Sequence, residues 1–396
     1  RADRLRTLKD KAMERLRITG GRVLLRSDGE QMADLAIEDG RISGIGRDVA
    51  GPELDARGLL VLPGIVDIHG DAFERQLQPR PGVGFPADVA LHDTEAQLLA
   101  NGITTAFHGV TLSWEPGLRS LDMWRDLLDA LEARSWTCDM RVHLRWEAYN
   151  LDALDIALTD IATGRVHLVA FNDHTPAILN KIDDPVAGAK YSDRAGMRLE
   201  DFRSLAARVA ARAGEVPAAQ ERVAAAARAA GVPMASHDDD SIATRTGFRT
   251  RGARICEFPM AEEVGAEARA ADDWVVMGCP NVMRGGSHLG WASAARLAEA
   301  GICSVLSSDY FYPAMLRAAL ILAGRGVFDL PRAWGLISAN PAAAAGLVDR
   351  GAIAEGLRAD LVLVDPNVPR VVATIAAGRI AYLAAEGAAR LSPANI

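Results

Sequence analysis

Several things are scarce in these 396 residues, and each scarcity removes a class of protein. Only four cysteines occur, Cys138, Cys256, Cys279 and Cys303, far apart and without a C-x-x-C spacing. Disulfide scaffolds and zinc knuckles need closer clusters, and three of the four sit in apolar, strand-like runs, so buried free thiols are expected. No apolar run reaches membrane-spanning length before a charge, Gly or Pro interrupts it, so no membrane partner is expected. Positive charge is in deficit: the formal net charge is −8. Without a basic field to condense on phosphates, general nucleic-acid binding is excluded, although a local pocket for a small anion is not. There is no secretory h-region near the N-terminus, and with the free thiols this predicts the cytoplasm. No G-x-G-x-x-G phrase follows an early strand, which argues against a dinucleotide fold. Residues 1–11 are charged and helix-prone, and Met13 reads as a natural start.

What is present begins with Leu62-Pro63-Gly64-Ile65-Val66-Asp67-Ile68-His69-Gly70-Asp71. Residues 65–68 read as a short buried strand opened by a Pro-Gly turn. A strand's period of two points His69 and Asp71 to one face, where an imidazole and a carboxylate suit a borderline metal ion. Before this phrase come short alternating runs separated by turns such as Asp28-Gly29 and Asp39-Gly40. Matching runs return at 361–364, 371–375 and 378–382. The two chain ends are therefore predicted to share a small β-sandwich domain, residues 13–62 with 350–390, around a catalytic domain at 63–349.

Within that central part, strand-like and helical runs alternate. Strands are expected to end at Asp71, His108, Glu147, His174, Asp238, Glu257, Pro280 and Asp309, with helical segments at 93–101, 121–134, 199–230, 261–271 and 293–301. Eight such units imply the α/β class and a (β/α)8 TIM barrel; an open doubly wound sheet is the alternative. Residues 175–196, polar and broken by Pro and Gly, are expected to form a long loop over the mouth.

Barrel chemistry sits where strands end. Alternation in the third strand puts Arg141, His143, Arg145 and Glu147 on one face and Val142, Leu144 and Trp146 on the other. Charges on a barrel's inner face are costly unless paired or metal-bound. The fourth, fifth and eighth strands end Asn172-Asp173-His174, Ser236-His237-Asp238-Asp239 and Ser307-Ser308-Asp309. Histidines and carboxylates thus stand at strand ends all round the barrel, the pattern of a metal site. Asp238, Asp239 and Asp240 also fit helix N-caps. His167 has the wrong parity for the interior, His92 precedes a helix, His143 lies deeper than Glu147, and His108 would line the pocket. Arg284-Gly285-Gly286-Ser287-His288 offers backbone N–H groups, a guanidinium and a hydroxyl, the equipment of an anion nest.

These residues resemble the amidohydrolase superfamily over nearly the whole chain, through Pro63-Gly64-x-x-Asp67-x-His69, the strand-end histidines, Asp309, Asn340-Pro341-Ala342 and Ala359-Asp360-Leu361-Val362. Within it they are most similar to the ribose methylphosphonate triphosphate hydrolase family of the carbon–phosphorus lyase pathway. Pro79-Arg80-Pro81-Gly82-Val83, His143-Leu144-Arg145-x-Glu147, Asp173-His174-Thr175-Pro176, Ala235-Ser236-His237-Asp238-Asp239 and Ser307-Ser308-Asp309-Tyr310 carry that match. The resemblance implies hydrolysis of α-D-ribose 1-methylphosphonate 5-triphosphate to the 5-phosphate and pyrophosphate. It implies one or two divalent metals, Zn²⁺ fitting best and Mn²⁺ or Fe²⁺ being alternatives. His69 and Asp71 would hold one ion, His174 and His237 the other, and Glu147 would bridge. Asp309 would bind metal and accept the proton of the attacking water. Arg80, Arg145, Lys181, Arg284, Ser287 and His288 would contact a small anionic phosphorylated substrate, and a homo-oligomer is compatible. In one respect the chain departs from the family, whose Asp-His-Thr-Pro phrase runs into a Gly-Gln-Arg-Gln-Phe-like segment; here Ala177-Ile178-Leu179-Asn180-Lys181 follows and that arginine is missing. The superfamily's commoner chemistry, hydrolysis of an N-acyl or cyclic amide, is the alternative activity.

Overall fold

A computed structural model describes residues 15–26, 29–47, 50–80, 82–285 and 293–392. Met13, Asp28, Pro81, Ser287 and His288, which figure in the sequence reading, lie outside them.

The chain opens with β1 (Arg15–Leu25), β2 (Gly29–Glu38), β3 (Arg41–Ile45), β4 (Glu53–Asp55) and β5 (Leu60–Pro63). Then come the parallel strands β6 (Ile65–Gly70), β7 (Ile103–Leu112), β8 (Asp139–Glu147), β9 (Leu168–Asn172), β10 (Met234–His237), β11 (Ile255–Glu257), β12 (Trp274–Gly278) and β13 (Val305–Ser307). It finishes with β14 (Leu361–Asp365), β15 (Arg370–Ala376), β16 (Arg379–Leu383) and β17 (Leu391–Ser392).

The first and last groups form one sheet in the order β16-β15-β14-β5-β1-β2-β3, with β4 on β1 and β17 on β4. Antiparallel pairing of β5 with β14 joins the two chain ends. Neither end buries enough by itself. Together they enclose a shared core that includes Leu16, Ile18, Ile37, Leu361, Leu363 and Ile375. The phrases Asn340-Pro341 and Ala359-Asp360 make structural contacts, the first within the barrel and the second where the sheet meets it. Asn340 Nδ2 donates to Ser304 O at 2.8 Å. Asp360 O accepts from Gly64 N, and its carboxylate accepts from Ala377 N.

The eight central strands run in the order β6 to β13, each pair parallel. Val66, Phe107, Leu168, Ala235, Ile255 and Val305 meet in one cluster that fills the barrel interior. On the outward face Val142, Leu144 and Trp146 pack with Trp124, Leu127 and Ile161 from the helices, as alternation predicts. The barrel closes through a parallel bridge between Gly70 and Asp309. There Asp309 N donates to His69 O and Asp71 N donates to Asp309 O, both at 2.9 Å.

Some boundaries differ from the sequence reading. β7 continues four residues past His108, placing that histidine mid-strand. The helical run at 199–230 is two helices, Leu199–Ala210 and Val216–Ala230, with Pro217 fitting the first turn of the second. Residues 175–196 are not an irregular loop. They form two helices, Thr175–Lys181 and Pro185–Ala195, the second capped by the Asp184 carboxylate and ended by Gly196 in a left-handed conformation. Ile178, Ile182, Ala195 and Phe202 give this insertion a small core of its own.

Candidate active site

The site is built where the strands end, and a bulge starts it. Strict alternation would send Ile68 and His69 to opposite faces. The β6–β7 register slips between Asp67 and Gly70, so Ile68 joins the interior cluster while the neighbouring His69 also meets the site. A bulge re-aims a side chain in this way. Asp67 holds the turn: its carboxylate accepts from Ser308 N at 3.0 Å, Ser308 Oγ at 2.5 Å and His69 N at 3.3 Å. Burial raises the Asp67 carboxyl to about 6. Glycines make room, since a Cβ on Gly70 would come within 2.6 Å of Asp67 Oδ2 and one on Gly278 within 2.9 Å of Asp309 Oδ2.

Two triads of possible metal ligands stand here, His69–His237–Glu257 and His174–His237–Asp238, each with ligand atoms within 4.8 Å of one another. His69 Nδ1 lies 3.0 Å from Glu257 Oε1, and His143 Nε2 lies 3.7 Å from Glu257 Oε2. Yet His69 Nδ1, His143 Nε2 and both Glu257 oxygens make no hydrogen bond, although all are buried. Polar atoms buried without partners are costly, and atoms this close but misaligned for each other face a common third group. Burial, with Arg145 and His237 nearby, holds His69 well below the usual histidine range, and burial raises Glu257. A neutral imidazole and a carboxylate around a shared gap form the donor set of a divalent transition metal. The residues fit such an ion.

Asp238 is an ion-pair partner rather than a helix cap. Its carboxylate lies 3.0 Å from His237 Nδ1 and 3.8 Å from His174 Nε2. Burial opposes its ionisation, but His237 and His174 hold it far below the carboxylate range. Conversely, burial disfavours charge on His174, but Asp238 and Glu147 raise it above the usual value. The cap of the following helix is Ser241, whose side chain accepts from Thr244 N. Asp239 is buried against Ser236 and Arg245.

Glu147 is held by the turn after β9: Thr175 Oγ1 donates to Oε1 at 2.9 Å, His174 N at 3.1 Å, and His174 Nδ1 stands 3.2 Å from Oε2. Trp114 Nε1 in turn donates to Thr175 Oγ1. Asp71 faces Arg145, whose guanidinium reaches Asp71 Oδ2 at 3.4 Å and His237 Nε2 at 3.3 Å. Asp309, in a left-handed conformation (φ 55°), is raised to about 7 by burial and then by the charge of Asp71. His108 is buried against Phe73 with neither nitrogen hydrogen-bonded, and burial lowers it to about 4. His167 accepts from Val142 N, and His92 packs on Trp136, both away from the site. Arg80 and Lys181 line a cleft together with residues of the helical insertion. Arg284 is exposed at the end of a short helix.

Two residues were missed by sequence reasoning as site members: Asp238, which was read as a helix cap, and Glu257. The only local signal for Glu257 was a carboxylate ending an apolar strand, Ile255-Cys256-Glu257.

A sequence model of the amidohydrolase family matches residues 200–388. The α-D-ribose 1-methylphosphonate 5-triphosphate diphosphatase of Escherichia coli K12 is 34% identical over 322 residues, 78% of this chain and 84% of that protein. The chain belongs to the amidohydrolase family. A rat dihydropyrimidinase is 31% identical to this amidohydrolase over 140 residues, a third of the chain and 25% of that enzyme. Among solved structures, a β-aspartyl dipeptidase from Fervidobacterium islandicum superposes with a TM-score of 0.62 at 14% identity, over 93% of this chain and 96% of its own. An N-acetylglucosamine-6-phosphate deacetylase from Pasteurella multocida does so at 0.61 and 11%, over 92% and 99%. These two likenesses are of fold alone.

Proposed function

We propose that this amidohydrolase is a metal-dependent diphosphatase that cleaves the phosphoanhydride of a phosphorylated ribose phosphonate, releasing pyrophosphate and leaving the 5-phosphate. The observation that carries this reading is the similarity to the E. coli diphosphatase across most of both chains, joined to a strand-end cluster whose buried donors lack partners. The rat dihydropyrimidinase, by contrast, matches over only a third of this chain.

Zn²⁺, with Mn²⁺ or Fe²⁺ as alternatives, fits the donor set of His69, His237 and Glu257. His174 and Asp238 offer a second seat through the same His237. A neutral imidazole has one lone pair, so His237 serves one seat at a time. In this reading the chain holds one ion. When bound, the metal supplies Lewis acidity and water acidification near neutral pH. The rest is the work of this chain's residues. Asp309, poised near neutrality by burial, accepts the proton of the attacking water. Arg145, fixed by Asp71, presents a guanidinium fork to the phosphoryl oxygens. Glu147 orders the His174 turn, and Arg284, Ser287 and His288 are proposed as further phosphate contacts. Cys138, Cys256, Cys279 and Cys303 are buried free thiols, which accords with a cytoplasmic enzyme.

The test is a substrate comparison. Pyrophosphate release from the ribose methylphosphonate triphosphate is measured beside acetate and ammonia release from N-acyl and cyclic-amide panels. Turnover confined to the triphosphate supports the reading, and turnover confined to an amide replaces it.

A further inference from the structure

A cleft of about 960 Å³ opens between residues 78–80 and the helices Thr175–Lys181 and Pro185–Ala195. Both walls grow directly out of the site. Gln78, Pro79 and Arg80 follow β6 and Asp71 through one short helix, and Lys181 ends the helix that begins just after His174. The walls of the cleft are therefore the segments that follow two strands carrying the candidate centre.

Its charge is unlike that of the chain as a whole. Four cationic side chains, Arg80, Lys181, Lys190 and Arg194, line it against one carboxylate, Asp193, in a protein of formal net charge −8. Arg194 is paired with Glu115. Among the described residues no ion pair is recorded for Arg80, Lys181 or Lys190. Residue type sharpens the point. Of the chain's 44 Lys and Arg residues only four are lysines: Lys9, Lys11, Lys181 and Lys190. A chain that uses arginine for nearly every cationic position places its two internal lysines on one cleft. Lysine is a compact charge on a flexible stem that can follow a phosphate through several positions, whereas arginine suits fixed, forked contacts. Tyr191, beside Lys190, also lines the cleft and stacks its ring on Phe202, so the helix that carries Lys190 is anchored while its charged face stays open.

We infer that this cleft is the seat of the substrate's polyphosphate arm, with Lys181 and Lys190 as its mobile cations and Arg80 facing them from the opposite wall. The inference rests on the diphosphatase reading for the identity of the ligand, and it is tested without turnover. Three like charges lining one cleft repel one another, and a linear polyphosphate relieves that repulsion along its length.

The lysine distribution supplies the experiment. Full-length protein is reductively methylated with and without millimolar inorganic pyrophosphate, and labelling at each lysine is read by mass spectrometry. Lys181 and Lys190 should be protected at least about fivefold, while Lys9 and Lys11 label equally in both samples and serve as internal controls. Equal labelling at all four lysines overturns the inference, whatever the enzyme hydrolyses. In parallel, K181Q/K190Q should raise KM for the triphosphate by about tenfold or more with kcat changed less than twofold. An unchanged KM in a folded double variant would also overturn it, and would leave the diphosphatase reading standing.

Discussion

Glu257 at the end of β11 stands 3.0 Å from His69 at the end of β6, and neither atom of that contact forms a hydrogen bond. Both side chains are fully buried. Two buried groups from strands on different sides of a barrel, this close and unsatisfied, are placed to share a third group.

Replacing Glu257 with Gln keeps the volume and removes the charge. The variant should bind metal at least about tenfold more weakly in chelator competition, the loss typical even of groups that only support a ligand. Its circular dichroism should match the parent's. Full metal content in a folded E257Q protein would remove Glu257 from the centre.

Asp309 separates proton transfer from metal retention. Asp309→Asn should lower kcat by about 10²–10⁴-fold, the usual contribution of a general base. Elemental analysis should find its metal content unchanged, because neither triad includes this residue. Parallel loss of metal and activity would make Asp309 a ligand first.

Much of this arrangement was legible in sequence because barrels repeat. The alternation through Arg141, His143, Arg145 and Glu147 fixed a face, and the apolar residues between them fixed the opposite one. His69, His174, His237 and Asp309 each ended a recognisable strand. Glu257 was not legible as a site residue, because its partner His69 lies five strands earlier and local pattern carries no trace of the encounter. Asp238 looked like a cap because Asp before a helix usually is one, and only tertiary contact with two histidines shows otherwise. The helical insertion was misread for its Pro and Gly. Pro176 and Pro185 sit in the first turns of their helices, where proline is tolerated, and Gly196 ends the second.

His108 should make the fold sensitive to acid. Its folded-state value near 4 lies below the ordinary 6.5 because burial disfavours the charged ring. The stability it contributes is complete above pH 6.5 and is lost as pH falls through 4, since the unfolded chain takes up the proton first. The full difference corresponds to roughly 3 kcal/mol. Urea unfolding at pH 7 and pH 4.5 should therefore show His108→Gln losing about 2 kcal/mol less than the parent. An equal loss in both proteins would show that His108 is not the acid-sensitive group.

Arg245 is the buried support behind the fifth and sixth strands. Its guanidinium reaches Asp239 and Asp273 at 3.4 Å each and donates to Ile255 O at 3.1 Å. Arg245→Met would leave the buried Asp239 carboxylate without its cation, while Asp273 keeps Arg249 and Arg254, and should cost roughly 3–5 kcal/mol in urea unfolding. A cost under about 1 kcal/mol would mean that this network is not needed for stability.

The most direct measurement is a phosphorus NMR time course on the ribose methylphosphonate triphosphate, with metal-loaded protein and with the same protein after chelation. Loaded protein should convert the triphosphate resonances into equimolar pyrophosphate and 5-phosphate with the phosphonate signal intact, and chelated protein should leave them unchanged. Conversion that persists after complete removal of metal, or a triphosphate untouched by loaded protein, would contradict a metal-dependent diphosphatase.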